Sequence, residues 1–145
     1  MTHLLSVPPR SESYRLTGPR TPRLPGIARD FLADVLPPTT HVHPDAIYAA
    51  KVCVSELVTN ALQHTTTPTI TVEATIAADR CVVHVHDNSL SPPTPGDYTT
   101  ERERGRGLAM VQSYAETWGA MIHGGLSPTH KSVWFRIALT GGSVA

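Results

Sequence analysis

Residues 46–64 read AIYAAKVCVSELVTNALQH, and their apolar side chains recur nearly all round a helical wheel. A helix that is apolar on every side has to be buried. The segment is therefore expected to form a central helix that starts at Asp45 or just before it and runs to about His64. Glu56 and Asn60 interrupt the apolar run. They stand four positions apart, so they project from one face, and in a buried helix a carboxylate and a carboxamide each need a partner. An oxygen-seeking cation such as Mg²⁺ suits the Asn60 carboxamide, and a carboxylate beside it can take a proton from an attacking hydroxyl or water. An ordinary hydrogen-bonded polar pair accounts for the same spacing.

Upstream of this helix, Ile27, Phe31, Leu32, Val35 and Leu36 recur at helical spacing until Pro37-Pro38 stops them, which predicts a helix over 24–36. Ser13 to Leu16 fits one short edge strand, and residues 1–11 read as a flexible lead-in. Downstream, Ile70, Val72, Ala74 and Ile76, then Cys81, Val83 and Val85, alternate with their neighbours on either side of an Ala-Ala-Asp-Arg turn. Period-two alternation about a short turn predicts a hairpin. Asn88 to Arg106 carries prolines, Gly96 and the charged run ERER without a steady period, and is expected to be one long loop. Leu108, Val111, Ala115 and Trp118 return to helical spacing after Gly107, with Gly119 placed to end a third helix. Two closing strands are expected at Ala120 to His123 and at Val133 to Leu139, and 141–145 as a tail, which leaves one domain over 12–140.

Composition supports a single globular domain. Of the 145 residues 40% are hydrophobic and 17% charged, a balance unlike that of disordered chains. Twelve basic residues match twelve acidic ones, so no general field draws the chain to nucleic acid or to anionic lipid. No apolar run approaches the roughly 20 residues a membrane-spanning helix needs, and a cytoplasmic location is the expectation. Cys53 and Cys81 lie in apolar segments and are read as buried reduced thiols.

Two further pieces carry chemistry. Asp87 closes the strand CVVHVH. A carboxylate there can accept from an exocyclic amine such as adenine N6, or simply cap an Asx turn into Asn88-Ser89. Gly105-Arg106-Gly107 stands directly before the predicted third helix, where exposed backbone N–H groups and the helix dipole suit phosphate; a plain turn has the same composition. The order of the pieces adds weight: a polar helix face, a strand-end aspartate, then a glycine-led helix beyond a long loop.

These motifs resemble those of a known family. SELVTNALQH (55–64) is similar to the N box of GHKL, or histidine kinase-like, ATPases, and VHVHDNSLSPPTP is similar to the adenine-binding box of their small stand-alone members. GRGLAMVQSYAETWG (105–119) resembles the second glycine box with its helix, and KSVWFRIAL the closing strand. The resemblance implies an α/β (α+β) two-layer sandwich of the Bergerat type, with a mixed, mostly antiparallel sheet and helices on one face. It implies ATP and Mg²⁺ as cofactors, with Asn60 holding the metal and Glu56 as general base. Asp87 would bind adenine, and Arg104, Gly105, Arg106, Gly107 and Leu108 would form the phosphate lid. Ser132 would support the adenine through water, although a surface strand residue is the alternative.

Where the wider family has D-x-G-x-G, this chain has Asp87-Asn88-Ser89-Leu90-Ser91 and lacks both glycines. The phosphorylatable histidine of a sensor kinase is not recognisable, and His64 is no substitute. The stand-alone members most similar to this chain are the anti-sigma-factor serine/threonine kinases. They imply a sigma factor or an anti-anti-sigma (STAS-type) protein as partner, transcription regulation through protein contacts, and a lid arginine, Arg102 or Arg104, on the γ-phosphate. A homodimer is left open. The competing readings are a non-catalytic ATP-dependent protein-binding module, and a metal protein built on His41, His43, His84 and His86, since H-x-H sets two imidazoles on one side of a strand. Sequence-specific nucleic-acid binding lacks an electrostatic anchor.

Overall fold

A computed structural model describes residues 11–36, 42–88 and 102–140. Among these, the elements run β1 (Glu12–Pro19), α1 (Leu24–Val35), α2 (Pro44–His64), β2 (Thr69–Ala77), β3 (Arg80–Asp87), α3 (Arg102–Tyr114), β4 (Thr117–His123) and β5 (His130–Ala138). The strands form one sheet in the order β1-β2-β3-β5-β4, and every neighbouring pair is antiparallel. The expected α+β architecture is present, with a sheet that is wholly antiparallel among the described strands rather than mixed.

Alternation divides the sheet into two faces. Val72, Val85 and Val133 lie in register across β2, β3 and β5, as do Ala74, Val83 and Phe135, and all six are buried. Helices α1 and α2 cover this face. On α1 the covering stripe is Leu24, Ala28 and Leu32, continued by Leu36, an i, i+4 series. Burying each of those leucines stabilises the fold by roughly 1.5–3 kcal/mol before conformational entropy is counted. Gly18 of β1 makes room for the stripe, since a Cβ there would lie 2.7 Å from the Leu24 Cδ1.

Helix α2 starts and stops for identifiable reasons. Pro44 occupies its first turn, where a missing N–H costs nothing, and the Asp45 N–H donates to Nδ1 of the capping His43 at 3.0 Å. At the other end the Thr65 hydroxyl donates to the Ala61 carbonyl at 2.7 Å. The Arg20 guanidinium donates to the carbonyls of Leu62 and Thr65 at 2.8 and 3.1 Å, placing a cation at the negative end of the helix dipole.

The third helix departs from expectation at both ends. It begins at Arg102, so the long loop expected to reach Arg106 ends earlier, and Gly105 and Gly107 lie within α3 instead of ahead of it. It ends at Tyr114, and Trp118, expected on the helix, belongs to β4. Sheet pairing explains the second difference: Thr117 through His123 pair with Arg136 through His130, and the Glu116 N–H donates to the Arg136 carbonyl at 2.8 Å. Gly119 is accordingly no helix terminator. It faces Trp134 across the ladder, where a Cβ would come within 3.1 Å of the indole ring, so the glycine lets the ring lie flat on the strand.

The β2–β3 hairpin turns at Ala78 and Asp79, between the paired Ala77 and Arg80. Ala78 has φ 54°, a left-handed conformation that a Cβ disfavours by about 1–2 kcal/mol. Ala78→Gly is expected to stabilise the protein by about 1 kcal/mol, less than the full penalty because glycine gains unfolded-state entropy. Urea unfolding checks this; a destabilised variant would contradict the role given to the turn.

Candidate functional site

The polar pieces of α2 and β3 meet at the end of the helix-covered face. Leu57, Asn60, Ala61 and His64 of α2 face Val85 and Asp87 of β3 and Lys131 and Val133 of β5 across one cleft. Each strand residue sits there by parity. Asp87 continues the inward series Cys81, Val83, Val85, and Lys131 precedes Val133, Phe135 and Ile137 in the inward series of β5.

Asp87 and Lys131 are register partners, only 6% and 5% exposed, with Nζ 3.7 Å from Oδ1. Each charge lowers the desolvation cost of the other, and removing one partner of such a pair costs far more than the pair contributes. Sequence reading named Asp87 and missed Lys131. The missed signal was a lysine at an inward position of an otherwise apolar alternation.

Asn60 contributes the second feature. Its Nδ2 is buried and has no hydrogen-bond partner among the described residues, and a buried amide left so costs about 1–3 kcal/mol. A polar ligand in the cleft would satisfy it. The space enclosed there is about 20 Å³, room for about one water.

Glu56 lies one turn before Asn60 on α2 and is half-buried. Burial raises its carboxyl above the ordinary value of 4.5, the direction that suits a general base working near neutrality. The neighbouring Cys53 thiol is pushed up to about 12, first by burial and then by the Glu56 charge, and burial takes Cys81 to about 12 as well. Both are unbridged and buried, as expected for inert thiols.

The remaining expected site residues are on α3 and β5. Leu108 is fully buried with Val111 and anchors α3 in the core. The backbone of Arg102, Arg104, Gly105, Arg106 and Gly107 is helical, and the side chains of the two competing arginines lie outside what the structure describes. Ser132, expected to support the adenine through water, lies in β5 and is buried. Its hydroxyl is on the open face of the sheet, 2.8 Å from His84 Nδ1 and 2.9 Å from His123 Nε2, because its even position in β5 points away from the helices.

The competing set of four histidines is not brought together among the described residues. His41 lies outside the described residues and His43 caps α2, while His84 is bonded to Ser132. His86 is bonded to Glu73 at 3.0 Å. Burial would raise the Glu73 carboxyl, but the His86 hydrogen bond and the Arg15 charge outweigh it and hold the group below its usual range.

Comparison with known families matches residues 19–137 to the histidine kinase-like ATPase domain. Comparison with curated proteins gives no match. The match spans every element of the cleft, from β3 and α2 to β5.

Two outcomes are expected. Lys131→Met, by removing the cation that faces a buried carboxylate, should cost about 3–5 kcal/mol, and adding Asp87→Asn should recover part of that loss; strictly additive costs in the double-mutant cycle would refute the coupling. Because the folded chain holds the Glu56 proton more tightly than the unfolded chain, the stability linked to it is complete below the ordinary glutamate range. It is lost as pH rises through the raised value. Glu56→Gln should therefore raise Tm at neutral pH, with the difference vanishing in acid.

Proposed function

Because the chain belongs to the histidine kinase-like ATPase domain family, we propose that it binds ATP with Mg²⁺ and transfers the γ-phosphoryl group to a serine or threonine of an anti-anti-sigma partner. Transcription is then regulated through protein contacts with that partner or with a sigma factor. The observation that carries this reading is the orphaned Asn60 amide, set in the same cleft as the strand-end Asp87.

The residues fit the nucleotide and its metal. Asn60 offers an amide with an unmet donor and a carbonyl oxygen of the hard type that Mg²⁺ accepts, and Asp87 offers a buried acceptor to an exocyclic amine. Bound Mg²⁺-ATP supplies a transferable phosphoryl group with part of its charge neutralised. In this reading Lys131 holds the Asp87 carboxylate in place. Glu56, with its raised carboxyl, takes the proton from the partner's hydroxyl as that oxygen attacks. The apolar wall of Leu57, Val85 and Val133 keeps water from the base.

The experiment is transfer of label from ATP to a candidate anti-anti-sigma protein. Glu56→Gln should lower the rate by about 10²–10⁴-fold, the usual worth of a general base, while leaving ATP affinity unchanged. Absence of transfer by the unmodified protein, together with intact ATP binding, would overturn the kinase reading in favour of a non-catalytic ATP-dependent binding module. In ATP titrations Asp87→Ala should weaken binding with or without Mg²⁺, whereas Asn60→Ala should chiefly remove the gain that Mg²⁺ brings.

A further inference from the structure

The open face of the sheet carries a second group of side chains that the nucleotide reading does not use. His86 of β3, His123 of β4 and His130 of β5 each present a ring nitrogen, and these three atoms lie within 4.8 Å of one another. His123 and His130 are direct register partners, and their rings stack at 4.4 Å, nearly parallel. His86 is paired with Ser132, two residues from His130 on β5, which puts its ring 5.3 Å from each of the other two. All three residues are half-buried. We propose that these imidazoles form a Zn²⁺ site on the face of the sheet opposite the Asn60–Asp87 cleft.

The donor set decides the class of ion. Three imidazole nitrogens without a thiolate suit Zn²⁺ and its neighbours among the transition metals, and are poor ligands for Mg²⁺ or Ca²⁺. A tetrahedral Zn²⁺ at 2.0–2.1 Å from each nitrogen sets the nitrogens about 3.3 Å apart, so from separations of up to 4.8 Å they close by up to about 1.5 Å on binding, and the parallel His123 and His130 rings turn so that their in-plane lone pairs converge. Three strands locked by backbone pairing hold the rings close enough for that movement to be a side-chain adjustment.

Outer support is already in place. Glu73 Oε1 is 3.0 Å from His86 Nε2, and the Ser132 hydroxyl is 2.9 Å from His123 Nε2. Imidazoles that ligate metals are commonly oriented by such a carboxylate or hydroxyl on one nitrogen, with the other left for the ion. Access is open as well. A cleft of about 310 Å³, lined in part by Arg15, Thr69, Thr71 and Asn88, reaches His86 and His130 and leaves room for water or an anion as fourth ligand.

The test uses the full chain without a histidine tag, stripped with a chelator and titrated with ZnCl₂ against a chromophoric chelator. One Zn²⁺ per chain is expected, and Co²⁺ in its place should give the intense visible absorption of a tetrahedral centre. His123→Gln and His130→Gln should each weaken binding by more than about 100-fold, beyond the 10–100-fold expected of the outer-shell variant Glu73→Gln. His43→Gln, at the α2 cap, should bind as the unmodified protein does, and circular dichroism establishes that each variant is folded. No stoichiometric binding, an octahedral Co²⁺ spectrum, or equal affinity in folded His123→Gln and His130→Gln variants would overturn the site.

Discussion

Helix α2 is surrounded on nearly every side, and a surrounded helix has to find a partner for each polar group it carries. Its apolar positions, from Ala46 through Cys53 and Leu57 to Ala61, are buried against the sheet and the other helices. That contact leaves Glu56 and Asn60 one turn apart on one flank of the helix, with Asn60 in the cleft at the ends of β3 and β5. The Glu56 carboxyl is raised by burial, and the buried Asn60 amide has no partner among the described residues. Local stability has been given up at the two places where chemistry is proposed.

The sheet supplies the second constraint. Residues of β3 and β5 alternate strictly between the covered and open faces, so the chemistry of each side follows from position along the strand. Asp87 and Lys131 are carried into the covered side at the end of apolar runs, where two opposite charges can be buried only together. His84, His86, Ser132 and Trp134 are carried to the other side. There a polar layer of hydroxyls, imidazoles and the Glu73 carboxylate replaces the core, and Ser13–Thr75 and Thr17–Thr71 pairs at 2.7 and 2.8 Å extend it to β1.

Much of this was legible in the sequence. The apolar run of α2, the stripe of α1 and the alternation of β2, β3 and β5 state their periods plainly; α1, α2, β2 and β3 lie within a residue or so of expectation, while β5 begins three residues earlier, at His130. Asn60 and Asp87, far apart in the chain, line one cleft. Helix α3 was harder to read because Trp118 and Gly119 are compatible with helical spacing until β5 offers them a ladder, and pairing across strands has no local signature. Lys131 was overlooked because its inward parity in β5 was not weighed, and the same parity sets Ser132 on the other face. The gathering of His86, His123 and His130 depends on strand order, with β5 inserted between β3 and β4, which no single stretch of sequence encodes.

A β-sheet is one peptide layer thick, and here that thinness sets two neighbourhoods back to back, with Asp87 at the rim of both. His86 and Asp87 are consecutive, as are His130 and Lys131, yet each pair addresses opposite sides of the wall. A slip of one residue in the pairing of either strand would exchange the two sides, sending imidazoles into the covered cleft and the buried charges into the open polar layer.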